Sequence, residues 1–346
     1  MSASSIRLLT MLAVLASLQH SYAAAQSPPD APAELMLEVA VPRYALIFAN
    51  ETYPTNPLPS AAKDADAAER MFRSMGFKVL PIERNRNAVQ MKAAINNLRD
   101  KEVRFARNQN IRPVVLVYFS GHGFRSDDAT AYLAGIDADT ASASSLKDES
   151  VMLKYIEQAF SVDSYLILLI DGCRLRVGDK EAAAASKPTQ RELAEYEPVA
   201  ENTAPSDAYD APDPEAAQQI IGFATSDDRT AAANVDLMTG EVHPSVYTEA
   251  LEKTLGKAEA LIAVELFNAS NYVQDNYPKL KQVPVSAGQI AVYLLATAAR
   301  AAQISADWEV VRKNPNEDLM NRHMRHYPES RFSTAARKWI ASARTR

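Results

Sequence analysis

Two apolar rhythms alternate along this chain. Short, nearly continuous apolar runs at "RYALIFAN" (43–50), "PVVLVYFS" (113–120), "YLILLID" (165–171) and "QIIGFATS" (219–226) read as strands covered on both faces. "FKVLPIE" (77–83) reads as a further strand, and "GQIAVYLL" (288–295) as a last strand or extended segment. Between them, apolar residues fall three and four apart. In "AAKDADAAERMFRSMG" (61–76), Ala65, Ala68, Met71, Phe72 and Met75 share one helical face and Gly76 supplies the stop. The same spacing predicts helices over 87–108, 149–160, 245–255 and 259–274. Strand–helix alternation predicts right-handed crossovers and an α/β, doubly wound, mainly parallel sheet. Sheets of this kind take ligands at the carboxyl ends of their strands. Two turns stand there: "SGHG" after the strand at 113–120 and "DGCR" after the strand at 165–171.

Composition sets the frame around those elements. With 346 residues, 47% hydrophobic and 23% charged, the chain can bury a sizeable core. Its net charge of −6 leaves no electrostatic footprint for nucleic acid or for an anionic membrane. No Walker loop or G-x-G-x-x-G follows any strand, which disfavours a nucleotide-binding sheet. Residues 1–25 have the form of a signal peptide: Arg7, an apolar core Leu8–Leu18, then small residues at Ser21, Ala23 and Ala25. Cleavage after Ala23 or Ala25 would place the protein in a periplasm or outside the cell; the alternatives are a short membrane anchor or a buried helix. No later segment is long and uncharged enough to span a bilayer. Between 178 and 218 the chain turns to Ala, Glu, Asp and Pro, the composition of an exposed, disordered linker.

Cys173, in "DGCR", is the one cysteine of the chain, so no internal disulfide is available after export. Singly, a free cysteine is most often a small buried hydrophobe, and a histidine at a strand end a hydrogen-bonded loop residue. Jointly, at the ends of two consecutive buried strands, they favour catalysis. His122 lies between two glycines, where a ligand can approach the backbone closely. If the two strands are parallel neighbours, His122 and Cys173 emerge on one rim. The imidazole can then take the thiol proton, and the N–H groups of Gly123 and Cys173 can hold an oxyanion.

The segments "YALIFANETY", "KDADAAERMFRSMGFKV", "VYFSGHG", "YLAGIDAD", "LILLIDGCR" and "HPSVYTEAL" stand in the order of the caspase-like cysteine peptidases. The chain resembles most the bacterial metacaspase (orthocaspase) branch, from about Pro42 to Leu295. That resemblance implies a caspase-hemoglobinase fold with a six-stranded sheet flanked by helices, His122 as catalytic histidine and Cys173 as nucleophile. It implies a domain over 40–300, with 178–218 dividing its large and small subunit regions. True caspases carry glutamine two residues before the cysteine; here that position is Asp171, and metacaspases use an acidic residue there to receive arginine or lysine. Asp64 and Ser120 carry over as further pocket positions. Carboxylates pair selectively with a guanidinium, so the expected substrates are proteins or peptides cut after Arg or Lys. The bland alternatives are that Asp64 solvates its helix and Asp171 closes a turn.

Gly172 departs from the serine or alanine usual between the aspartate and the cysteine, "CRLRVGD" lacks the usual small residues and asparagine, and Asp227-Asp228 replace a glycine-rich turn. Ser245, Tyr247 and Thr248 keep the pattern of a substrate-side loop and helix start, though Thr248 reads equally as a plain first-turn residue. No cofactor is expected, with calcium activation kept open by the resemblance. Asp127, Asp128, Asp137 and Asp139 offer oxygen ligands, but their spacing matches no calcium loop. Lys180, Lys187 and Arg191 make the linker a candidate for self-cleavage; an inert acidic spacer is the even alternative. Residues 301–346 read as a helical tail of the tetratricopeptide type, carried by Trp308, Leu319, Tyr327, Phe332, Ala335, Ala336 and Trp339. One such unit packs on the domain or recruits a protein partner. His323 and His326 read there as a solvated face rather than a metal site. The alternative to a peptidase is a silent caspase-like scaffold that binds through this tail.

Overall fold

The computed structural model describes residues 41–126, 130–139, 143–160, 162–176, 219–226, 231–232, 241–256, 261–280, 282–290, 292, 294, 298–327 and 330–345. The proposed signal segment 1–25 and the linker 178–218 lie outside the described residues.

The apolar runs become the centre of one sheet. β1 (Arg43–Ala49), β4 (Val114–Ser120), β8 (Tyr165–Asp171) and β10 (Gln219–Phe223) lie parallel, in the order β10-β8-β4-β1. β11 (Val285–Gln289) closes one edge antiparallel to β10. The expected strand at 77–83 is instead two short ones, β2 (Lys78–Val79) and β3 (Glu83–Arg84), which share the free edge of β1. Pro81 lies between them and has no N–H to give to a ladder. The last strand begins earlier than the pattern suggested. Beyond it Ile290, Val292 and Leu294 are buried under the sheet, with the Val292 carbonyl taking the N–H of Ile262.

Alternate residues of every central strand enter different cores. Val114, Leu116 and Tyr118 of β4, with Tyr165, Ile167 and Leu169 of β8, pack with α1 (Ser60–Ser74), α5 (Val246–Thr254) and α6 (Ile262–Asn276). Val115, Val117 and Phe119, with Leu166, Leu168 and Ile170, pack on the other face against α2 (Ala88–Leu98) and α4 (Leu153–Phe160). Residues 114–119 and 165–170 are at most 2% exposed, as burial on both faces requires. α2 starts on a capping box between Asn87 and Gln90, and continues through a π-helical turn, Arg99–Val103, to a last α-turn, Arg104–Asn108.

The sequence pattern did not announce a second sheet. β5 (Gly123–Arg125), β6 (Ala131–Ala134), β7 (Ser150–Met152) and β9 (Leu175–Arg176) form it in the order β7-β6-β5-β9. A short helix, α3 (Ala143–Asp148), precedes β7. β5 leaves the turn after β4, β9 leaves the turn after β8, and the two pair in parallel.

The tail is three helices, α7 (Ala298–Lys313), α8 (Glu317–His326) and α9 (Phe332–Arg344). It closes on Val311, Met320, Met324, Ala336 and Ile340. The Thr334 hydroxyl donates to the Asn110 carbonyl at 2.8 Å, and the Arg337 guanidinium donates to the Tyr165 hydroxyl at 3.4 Å. Both anchors lie at the amino ends of β4 and β8, opposite the rim. His323 corrects the expectation of a solvated face: it is fully buried, with Nδ1 2.7 Å from Asp307 Oδ2, under Trp308 and Tyr327. His326 is exposed.

Candidate active site

Parallel register decides what meets on the rim. Ser120 pairs with Asp171 across β4 and β8, so the chain passes out of the sheet at the same level in both strands. Two residues later stand His122 and Cys173. The two turns press backbone on backbone: Gly121 N–H donates to the Asp171 carbonyl at 3.2 Å. A Cβ on Gly172 would lie 2.8 Å from the Gly121 carbonyl oxygen and 3.3 Å from the Gly123 nitrogen. That contact explains the glycine between Asp171 and Cys173: a methyl there would drive the two turns apart. Gly123 in turn sits against the Cys173 carbonyl, which a Cβ at 123 would approach to 2.7 Å. The two backbones expected to supply oxyanion donors are therefore adjacent.

His122 is held from a third side. Its Nε2 lies 2.7 Å from the Asn56 carbonyl. A carbonyl only accepts, so Nε2 carries the proton and Nδ1 is the basic nitrogen. Burial lowers the imidazole pKa from its ordinary value, against a smaller raising effect of the Asn56 carbonyl. Burial also raises the pKa of the half-buried Cys173 thiol, a contact from the Ala231 N–H lowers it, and the Asp171 charge raises it. Both shifts favour the uncharged forms, the thiol of Cys173 and the neutral imidazole of His122.

Beneath the turns lies a buried cluster of acid and hydroxyl groups. Ser120 and Asp171 have the strand parity of Tyr118 and Leu169, so they point to the face covered by α1 and α5. Asp64 stands on the buried stripe of α1 with Ala61, Ala65 and Ala68, and is 1% exposed. It therefore does not solvate its helix. Its Oδ2 accepts from Ser120 Oγ at 2.7 Å and its Oδ1 from the Ser245 N–H at 2.6 Å. Asp171 Oδ2 accepts from Thr248 Oγ1 at 2.8 Å, from Ser245 Oγ, and from the Tyr118 hydroxyl at 3.4 Å. Ser245 also caps α5 through the Thr248 N–H. Burial, then the neighbouring Asp171 charge, raises the Asp64 pKa well above the carboxylate range, and burial raises that of Asp171. Among the described residues no Lys, Arg or His pairs with either carboxylate.

Sequence reasoning passed over Tyr53 and Asn56, in a loop noted only as polar, and Tyr118. Tyr118 carried a signal: it is the one hydroxyl-bearing ring inside an otherwise apolar strand interior, on the same face as Ser120 and two residues before it.

A family model described as the caspase domain of peptidase family C14 matches residues 42–291. The chain belongs to the caspase-domain peptidases. No curated protein matches it. Among solved structures it is similar to caspase-1 from Spodoptera frugiperda, at 16% identity over 75% of this chain and 91% of that chain, with a TM-score of 0.49. It is likewise similar to a structure described as pro-sf-caspase-1, at 17% identity over 79% of this chain and 95% of that one, with a TM-score of 0.48. The domain so defined contains both turns and the buried acidic cluster, and the tail from Ala298 lies beyond it. Asp137 and Asp139 are exposed, Asp127 and Asp128 lie outside the described residues, and among the described residues no three His, Cys, Asp or Glu side chains converge. No described helix is long and apolar enough to cross a membrane.

Proposed function

We propose that this caspase domain is an exported cysteine endopeptidase of the metacaspase type that cuts after Arg or Lys. The observation that carries the reading is the pair of buried carboxylates, Asp64 and Asp171, with no cationic partner among the described residues, below adjoining turns that bear His122 and Cys173. A buried acidic pair is costly unless a cation joins it. A substrate arginine or lysine supplies that cation, with Ser120 and Ser245 in place to accept or relay its hydrogen bonds.

In this mechanism the basic side chain enters the pocket and sets the scissile carbonyl over Cys173. His122 Nδ1 takes the thiol proton as Sγ forms its bond to the carbonyl carbon. The N–H groups of Gly123 and Cys173 face the new oxyanion. The proton passes from His122 to the leaving amine as the C–N bond breaks. Water, deprotonated by the same imidazole, then releases the acyl group and restores the thiol. Linker residues Lys180, Lys187 and Arg191 are substrates of the same specificity, which supports self-cleavage within 178–218.

The test compares fluorogenic peptides ending in Arg, Lys or Asp, with and without calcium. The expected result is cleavage after Arg and Lys that Cys173→Ala and His122→Ala abolish. Cleavage after Asp alone would refute the pocket, and no thiol-dependent turnover would favour the scaffold that acts through its tail. Linker fragments that persist in Cys173→Ala would exclude self-cleavage.

A further inference from the structure

The loop "ETYPTNPLPS" (51–60) does more than supply the Asn56 carbonyl. Tyr53, inside it, is 3% exposed, with its ring 4.5 Å from the His122 imidazole at 54°. Its phenol oxygen accepts the backbone N–H of His122 at 3.0 Å and donates to the Ala134 carbonyl at 3.1 Å. Those partners matter because of β-register. β5 and β6 pair antiparallel through Gly123↔Leu133 and Phe124↔Tyr132, so the next rung outward is His122↔Ala134. A rung of this kind normally exchanges two direct N–H···O=C bonds. One is present, from Ala134 N–H to the His122 carbonyl at 2.9 Å. The other is absent, and the Tyr53 hydroxyl stands in its place as a two-bond bridge. Gly121 makes room for it, since a Cβ there would lie 2.7 Å from the phenol oxygen.

We infer that Tyr53 is a positioning residue for His122: its hydroxyl is wedged into the last rung of the β5–β6 ladder and holds that rung open, aiming the imidazole at Cys173. This deepens the peptidase reading and rests on it for the role of His122, though not for the wedge itself. The alternatives for a phenol-free site are both unfavourable. If the rung stays open, a buried N–H loses its acceptor. If the rung closes into a direct pair, His122 moves toward β6 and away from the thiol. A hydroxyl is suited to this place because it accepts and donates at once.

Tyr53→Phe tests the wedge against Tyr155→Phe, which deletes another phenolic hydrogen bond, 3.0 Å to Asn96, away from the site. On an arginyl peptide, Tyr53→Phe is expected to lower kcat at least about tenfold with KM within about twofold, the signature of lost alignment. The histidine limb of its pH–rate profile is expected to move up toward 6.5 as the ring loses its buried seat. Tyr155→Phe is expected to change neither. Equal behaviour of the two variants, or an unmoved limb, would overturn the inference. If Tyr53→Phe does not fold, or if no peptide is cleaved, 3-fluorotyrosine in place of Tyr53 gives the answer without turnover. Its fluorine resonance is expected to follow the titration of His122, and to lose that dependence in His122→Ala. A resonance that ignores His122 would overturn it.

Discussion

The two halves of this site are held by opposite means. The turns that bear His122 and Cys173 are fixed by main chain: parallel register delivers them to one level, and Gly172 and Gly123 let them touch with no side chain between. The acidic cluster is fixed chiefly by side chains, with four hydroxyl contacts from Ser120, Tyr118, Ser245 and Thr248, and the Ser245 N–H, around two carboxylates. A main-chain device tolerates almost no added atom, because the neighbour that must give way is itself backbone. A side-chain device can be altered one group at a time. The chemistry of cleavage should therefore be brittle and the choice of substrate tunable.

The largest break expected from that contrast is at Gly172. Gly172→Ala should reduce kcat on arginyl peptides by at least about a hundredfold while leaving arginine binding to the pocket intact, because it parts the turns without touching a carboxylate. Steady-state kinetics together with titration of an arginine amide would show it; an alanine variant with native kcat would mean that the turns can slide.

Next comes Asp64→Asn. It should raise KM for arginyl peptides by roughly tenfold to a hundredfold, the worth of a charge-assisted contact. It should also make the free protein more stable at neutral pH by about 1 kcal/mol, since removing one of two buried like charges is stabilising. The sign follows from the raised Asp64 pKa. A carboxyl that is harder to ionise folded than unfolded stabilises below the ordinary carboxylate range and loses that contribution as pH rises toward its folded value. The gain of Asp64→Asn over wild type should therefore grow from pH 5 to pH 8 and vanish at pH 3, as read from thermal unfolding. A variant less stable at every pH would break the idea that the free pocket is electrostatically strained.

A subtler test joins the two halves. Asp171 stands two residues from Cys173 and its charge opposes the thiolate. A guanidinium in the pocket neutralises that charge, so agmatine should speed alkylation of Cys173 by iodoacetamide several-fold at pH 7, and should do nothing in Asp171→Asn. Inhibition by agmatine in both proteins would place the cation over the thiol instead. The smallest effect is expected at Thr248→Val. It removes one of three hydroxyls on Asp171 Oδ2 and should raise KM about threefold without moving kcat.

The same contrast governs what could be read in the sequence. Strand runs such as 113–120 and 165–171 were legible because burial on both faces leaves a continuous apolar signature, and the rim followed from parallel order. Asp64 and Asp171 were reached through family resemblance; a carboxylate on the apolar stripe of α1 is the physical trace that supports them. The second sheet was not legible. β5 and β9 are three and two residues long, too short for any periodicity, and their pairing follows only from where β4 and β8 end. Tyr53 was hidden for another reason: its role depends on a rung missing from a ladder, and a missing bond leaves no mark in composition. His323 misled because it lies on a helix rich in charge, and its cover comes from Trp308 and Tyr327 on either side.

β9 ends with Arg176 on the side of the rim, and β10 starts with Gln219 beside Leu166, at the opposite end of the sheet. A single cut between them would leave β8 and β10 paired over five residues, with Asp64 and Asp171 on one polypeptide and Ser245 and Thr248 on the other. Such a protein would keep its native mass in solution and separate only when denatured. Its refolding would become a second-order encounter of two pieces, recovering with a rate that depends on dilution, whereas the uncut chain would recover at the same rate at any concentration.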